Sequence, residues 1–100
     1  MKPYAWTQHA RMKMQYYKLS EGRVKRVIRV PDRVEEGIAP GTIACMQRNT
    51  TSSKPSEIWV MVHDALAVRK VISAWRYPGV TKKGEPLPEE IVREFRDASF

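Results

Sequence analysis

Apolar residues in the first third of the chain recur at helical spacing. Ala10, Met14 and Tyr17 fall at i, i+4 and i+7, the stripe a helix buries against a core, and His9, Lys13 and Tyr16 form a more polar stripe beside it. Thr7 is placed to accept from the first free N–H groups, so the pattern predicts a helix from about Gln8 to Lys18. A second helix is expected from Ser20. Leu19 and Val24 occupy the positions of a hydrophobic staple, and Glu21 suits the positive end of the helix. Val24, Val27 and Ile28 then face inward and Arg23, Lys25, Arg26 and Arg29 outward, until Pro31 ends the run. Gly22 weakens this helix by up to about 1 kcal/mol relative to alanine.

From Arg33 onward the period changes to that of strands. Arg33 to Glu36, Thr42 to Arg48, Glu57 to His63 and Val68 to Arg76 read as an antiparallel meander, with a turn at Ala39-Pro40-Gly41 and a polar hairpin loop from Asn49 to Pro55. The run Ile58 to Val62 is apolar throughout, as expected of a central strand buried on both faces. In the last strand, alternation places Val71, Ser73 and Trp75 on one face and Ile72, Ala74 and Arg76 on the other. Lys2 to Trp6 fits a short N-terminal edge strand, where Pro3 is tolerated. After Tyr77-Pro78-Gly79, a charged linker leads to Pro88, Glu89 and Glu90, which open a final helix through about Asp97. Ile91, Val92 and Phe95 give that helix one apolar face, for the sheet or for a partner chain.

The expected architecture is therefore α+β. Two N-terminal helices pack on a four-stranded antiparallel meander, with an optional N-terminal edge strand and a C-terminal linker and helix over residues 78–100. One hundred residues make this a single domain spanning 1–100.

Composition adds a sign to this picture. Eighteen Lys and Arg against eleven Asp and Glu give a formal charge of +7, a surface that attracts polyphosphates and releases their counterions on binding. RNA or the ribosome is the partner class expected first, and an acidic protein the second. One cysteine, Cys45, excludes an internal disulfide framework and fits a reducing compartment. The start of the chain lacks the apolar stretch of a signal peptide, and no apolar run approaches the roughly 20 residues needed to span a bilayer. A cytoplasmic protein without a membrane role is expected.

Few residues carry recognisable chemistry. No phosphate-binding glycine loop is present, and one cysteine with two distant histidines cannot fill a zinc site without carboxylates, so neither cofactor nor metal is expected. A Cys45–His63 nucleophilic pair is conceivable, but a thiol inside an apolar strand is more often buried and inert. His9, Lys13 and Tyr16 share one helical stripe. A metal-independent ribonuclease needs a base for the 2′-hydroxyl, an acid for the leaving oxygen and cations for the phosphorane, roles such side chains can fill. A merely solvated helix face explains the same spacing. In the last strand, Trp75 or Tyr77 could stack on a base while Arg76 binds phosphate, or the aromatics could lie in the core. Ser73 is similarly open, and Arg48 and His63 lie at strand ends. The basic face of the second helix, with Arg23, Arg26 and Arg29, suits RNA, an acidic antitoxin or water equally.

Taken in order, several short motifs resemble a small bacterial and archaeal domain family of unknown function. They are Thr7-Gln8-His9-Ala10-Arg11-Met12-Lys13-Met14, Leu19-Ser20, Val27-Ile28, Pro31-Asp32 and Val71-Ile72-Ser73-Ala74-Trp75. The resemblance covers about residues 4 to 77. The family looks related to the RelE and ParE toxins of the barnase- and colicin-like ribonuclease superfold. That relation implies two helices on an antiparallel sheet and metal-independent RNA cleavage or translation inhibition, with His9 as acid or base and Ser73 as a phosphate ligand. Lys13 stands where the family has arginine, keeping the charge without the planar fork, and Tyr17 and Lys18 replace an arginine and a glycine. The candidate catalytic set is thus His9, Lys13, Ser73 and Arg76. The candidate RNA contacts are Tyr16, Arg23, Arg26, Arg29, Arg48 and His63. A noncatalytic nucleic-acid-binding or protein-interaction module on the same fold is the alternative.

Overall fold

The computed structural model describes residues 2–38, 40–49 and 53–82. In chain order they form β1 (Tyr4–Trp6), α1 (Gln8–Tyr17), α2 (Glu21–Arg29), β2 (Arg33–Glu36), β3 (Thr42–Asn49), β4 (Ser56–Asp64) and β5 (Arg69–Pro78). The expected C-terminal helix lies outside the described residues.

Both helix starts follow from their caps. The Thr7 hydroxyl accepts from the Ala10 N–H at 3.0 Å, and the Ser20 hydroxyl from the Arg23 N–H at 3.1 Å. Helix α1 ends at Lys18, whose φ of 58° and ψ of 47° put a non-glycine residue in the left-handed region. The Leu19 N–H then reaches back to the Met14 carbonyl at 2.8 Å, and Leu19 turns into the core. A glycine would take this backbone without strain; the lysine takes it at a cost of about 1 kcal/mol. Helix α2 is capped from the sheet, where the buried Gln47 amide donates to the Val30 carbonyl at 2.9 Å. At the Pro31–Asp32 corner the Asp32 N–H donates to Met46 O at 2.7 Å, while the Asp32 carboxylate accepts from the Arg48 N–H at 2.8 Å. Gly37 permits the return into β3, because a Cβ there would collide with the Thr42 side chain, and Gly41 takes the turn at a φ of 77°.

The sheet order is β1-β5-β4-β3-β2. Strands β2 to β5 pair antiparallel with their neighbours, and β1 pairs parallel with β5. The sheet is therefore five-stranded and mixed, where a four-stranded antiparallel one with an optional edge was expected. A parallel neighbour needs a long connection, and here the helices and the other strands supply it.

Each face of the sheet carries its own apolar cluster. Val60, Val62, Cys45, Ile58, Val71 and Ala74 pack with Ala10, Met14, Val24 and Val27 under the helices. Ala44, Met46, Trp59, Met61, Ile72 and Trp75 form the cluster on the other face, where the rings of Trp59 and Trp75 stack at 5.9 Å and 2°. This corrects the expected alternation of β5. The register shifts between Met61 and Val62, so Ser73 pairs with Met61, Val71 with Val62, and Ile72 is left over as a bulge. Val71 and Ala74 consequently share the helix side, while Ile72 and Trp75 share the other. The freed Ile72 carbonyl accepts from the Thr7 hydroxyl at 3.0 Å, so one threonine both caps α1 and ties it to the bulge.

Candidate nucleic-acid interface

Helix α1 runs over β5 and ends above its last residues. There the Arg76 guanidinium donates to the Tyr17 carbonyl at 3.3 Å, which holds the side chain at the helix C-terminus. Arg76 pairs with Ile58, a residue of the helix-side cluster, and so projects on the helix side. Asn49 and Ser56 close the β3–β4 hairpin on the same side. Together Tyr16, Tyr17, Asn49, Lys54, Ser56 and Arg76 line an open cleft of about 570 Å³, with Pro55 and Pro78. Tyr16 is 75% exposed and meets Tyr17 edge-on, ring centroids 4.8 Å apart. The Lys13 ammonium lies 5.7 Å from the Tyr16 ring centroid.

Of the ten candidates, then, the cleft gathers Tyr16 and Arg76, with Lys13 at its mouth. His9 is half-buried in the first turn of α1. It stands seven residues before Tyr16, roughly 10 Å along the helix axis. Ser73 is 1% exposed and in register with Met61, whose side chain belongs to the far face, so the sheet separates it from α1. Arg48 stands two residues after Met46 in β3 and so points to the far side as well. His63 lies next to the end of β4, seven residues from Ser56 and roughly 23 Å from the cleft. It pairs with Thr42, whereas Cys45 pairs with Val60 under the helices, so the two do not meet. Burial pushes the Cys45 thiol above its ordinary value, and the distant pull of Arg69 does not offset this. Trp59 and Trp75 are core residues, 2% and 1% exposed, and neither offers a face to a base.

Arg26 and Arg29 are exposed on α2, and Arg23 is half-buried on its flank. Arg29 joins Lys2, Tyr4, Gly22 and Lys25 around a second, smaller cleft of about 330 Å³.

Sequence reasoning missed Asn49, Lys54 and Tyr17 as cleft residues. The first two fell in the polar hairpin loop and the third in the apolar stripe expected to face the core. The available signal was that a hairpin closing at Asn49–Ser56 lies beside the end of β5, which carries Arg76.

Among the described residues no three His, Cys, Asp or Glu side chains cluster as a metal site, and no helix is long and apolar enough to cross a membrane. No protein-family model, no curated protein and no solved structure matches this chain.

Proposed function

We propose that the protein binds single-stranded RNA through the cleft at the end of α1. The observation that carries this reading is the company kept there: an exposed tyrosine ring beside a second one, with Arg76, Lys54 and Lys13 around them. A base stacks on an aromatic face whatever its identity, and the adjacent cations take the backbone phosphates. The +7 charge of the chain adds long-range attraction. Anisotropy of a fluorescent single-stranded RNA is the test. Affinity falls steeply between 50 and about 200 mM salt, and Tyr16→Ala and Arg76→Gln each weaken it, as expected for lost stacking and a lost phosphate contact. Binding that is indifferent to salt and to both substitutions sinks the reading.

A second reading, the RelE-like ribonuclease or translation inhibitor that the family resemblance implies, is favoured by the Lys13–Tyr16 contact at the mouth of the same cleft. In that reading Tyr16, Lys13 and the Arg76 cation would serve one phosphate as proton-transferring and charge-stabilising groups. The ribosome and an acidic antitoxin are the partners that belong to it. Incubation with mixed RNA in EDTA, with and without ribosomes, separates the two readings. Cleavage lost in Tyr16→Phe but retained in His9→Ala assigns the chemistry to the cleft. Cleavage lost only in His9→Ala moves it along α1, and intact RNA throughout leaves the binding module.

A further inference from the structure

The smaller cleft lies between β1 and α2, and its walls are cationic. Lys2, Lys25 and Arg29 line it with Tyr4 and Gly22. Lys2 is matched already: its ammonium donates to Asp64 Oδ1 at 2.9 Å and to the Ala65 carbonyl at 2.8 Å. The same Asp64 oxygen also accepts from Arg69 Nε at 3.4 Å, so this carboxylate is paired twice beside the cleft. Lys25 rests 5.3 Å above the Tyr4 ring. Among the described residues no carboxylate pairs with Lys25 or Arg29. Two cations one helical turn apart on the same face repel each other, and an anion between them relieves that repulsion.

Gly22 is the second observation. It sits in the first turn of α2, exposed, where glycine weakens a helix. Its backbone does not require glycine, since only Gly41 and Gly79 among the described glycines have positive φ. Packing does not require it either, because an added Cβ would meet only Ser20 Oγ, at 3.9 Å. What the missing side chain does accomplish is to leave one wall of the cleft open.

We propose that this cleft is a phosphate-binding site, with Lys25 and Arg29 as its principal ligands and Gly22 as the residue that keeps it accessible. The site takes a phosphate group either from an RNA backbone or from a free phosphate compound. It does not depend on the reading of the α1 cleft.

The test uses the full chain and inorganic phosphate alone, following the Gly22 amide by NMR at constant ionic strength. In the wild-type protein the signal shifts saturably. The double variant Lys25→Gln/Arg29→Gln weakens the apparent affinity at least about tenfold. Gly22→Leu, which raises helix propensity and fills the cleft, weakens it as well while leaving the protein folded. No saturable shift, or an affinity unchanged in the double variant, overturns the proposal. Single-stranded RNA then distinguishes the sources. A salt slope smaller by about 1.4 in the double variant assigns the phosphate to RNA, as expected for two lost contacts. An unchanged slope, with phosphate binding lost, assigns it to a free compound. Phosphate binding without any RNA binding leaves this site standing and removes the RNA reading.

Discussion

On the sheet face away from the helices, Glu57 is 0% exposed and its carboxylate is well paired. Its carboxylate accepts from the Trp59 indole at 3.1 Å, the Thr81 N–H at 3.1 Å and the Thr81 hydroxyl at 2.7 Å. Arg33 lies 5.2 Å over the Trp59 ring and donates to Glu35, to the Thr81 carbonyl at 2.8 Å and to the Lys82 carbonyl at 3.2 Å. On the helix side the arrangement is reversed. Tyr16, Arg76, Lys25 and Arg29 border open clefts, and Lys25 and Arg29 have no carboxylate partner among the described residues. Both faces put charge beside aromatic rings. One encloses it with fixed donors and acceptors and thereby clamps the chain across the sheet. The other leaves it open to solvent. A buried polar group that is fully satisfied specifies structure, whereas partly exposed cations without counter-charges leave a positive field at the surface.

The largest test of this contrast is Glu57→Ala. It strands three donors on the closed face and is expected to cost about 3 kcal/mol in denaturant unfolding. A loss below 1 kcal/mol would mean that the clamp contributes little. On the open face, Tyr16→Ala leaves unfolding within about 0.5 kcal/mol of wild type and weakens RNA binding by about 1–3 kcal/mol, read as anisotropy. Equal effects on stability would return Tyr16 to an ordinary packing role. Smaller still, Lys18→Gly relieves the left-handed residue between the cleft and α2 and is expected to stabilise the fold by about 0.5–1 kcal/mol in denaturant unfolding; no gain would mean that the lysine takes this backbone without strain.

The smallest effect concerns the rim of the basic cleft. The Lys2 hydrogen bond, aided by the charges of Lys2 and Arg69, holds the Asp64 carboxyl below its ordinary value. A folded-state value below the unfolded one adds stability above the usual carboxylate range, and this is lost as pH falls through the lowered value. A slight loss of melting temperature on acidification is therefore expected, reduced in Asp64→Asn. An identical acid profile in that variant would show that this exposed rim pair contributes nothing.

Several elements were legible in the residues themselves. Thr7 and Ser20 announced both helix starts because capping is local chemistry, and Ala10, Met14, Val24 and Val27 announced the buried stripes because the helical period is fixed. Ile58 to Val62 read correctly as a strand buried on both sides. The candidate site was less legible. Tyr16 and Arg76 were singled out separately, yet nothing linear said that they share a cleft with Asn49 and Lys54, or that Ser73 lies on the far face of the sheet.

What the sequence determined by itself were the properties that depend on near neighbours: the helix ends, the period of each segment, the strongly basic balance and the burial of the central strand. The tertiary structure decided the rest. The bulge at Ile72 changed which β5 residues face the helices, because one unpaired residue reverses the alternation beyond it. The parallel docking of β1 against β5, and the two clefts flanking the helices, join residues far apart in the chain. Such contacts are set by packing and register across the whole domain, and no local pattern of side chains encodes them.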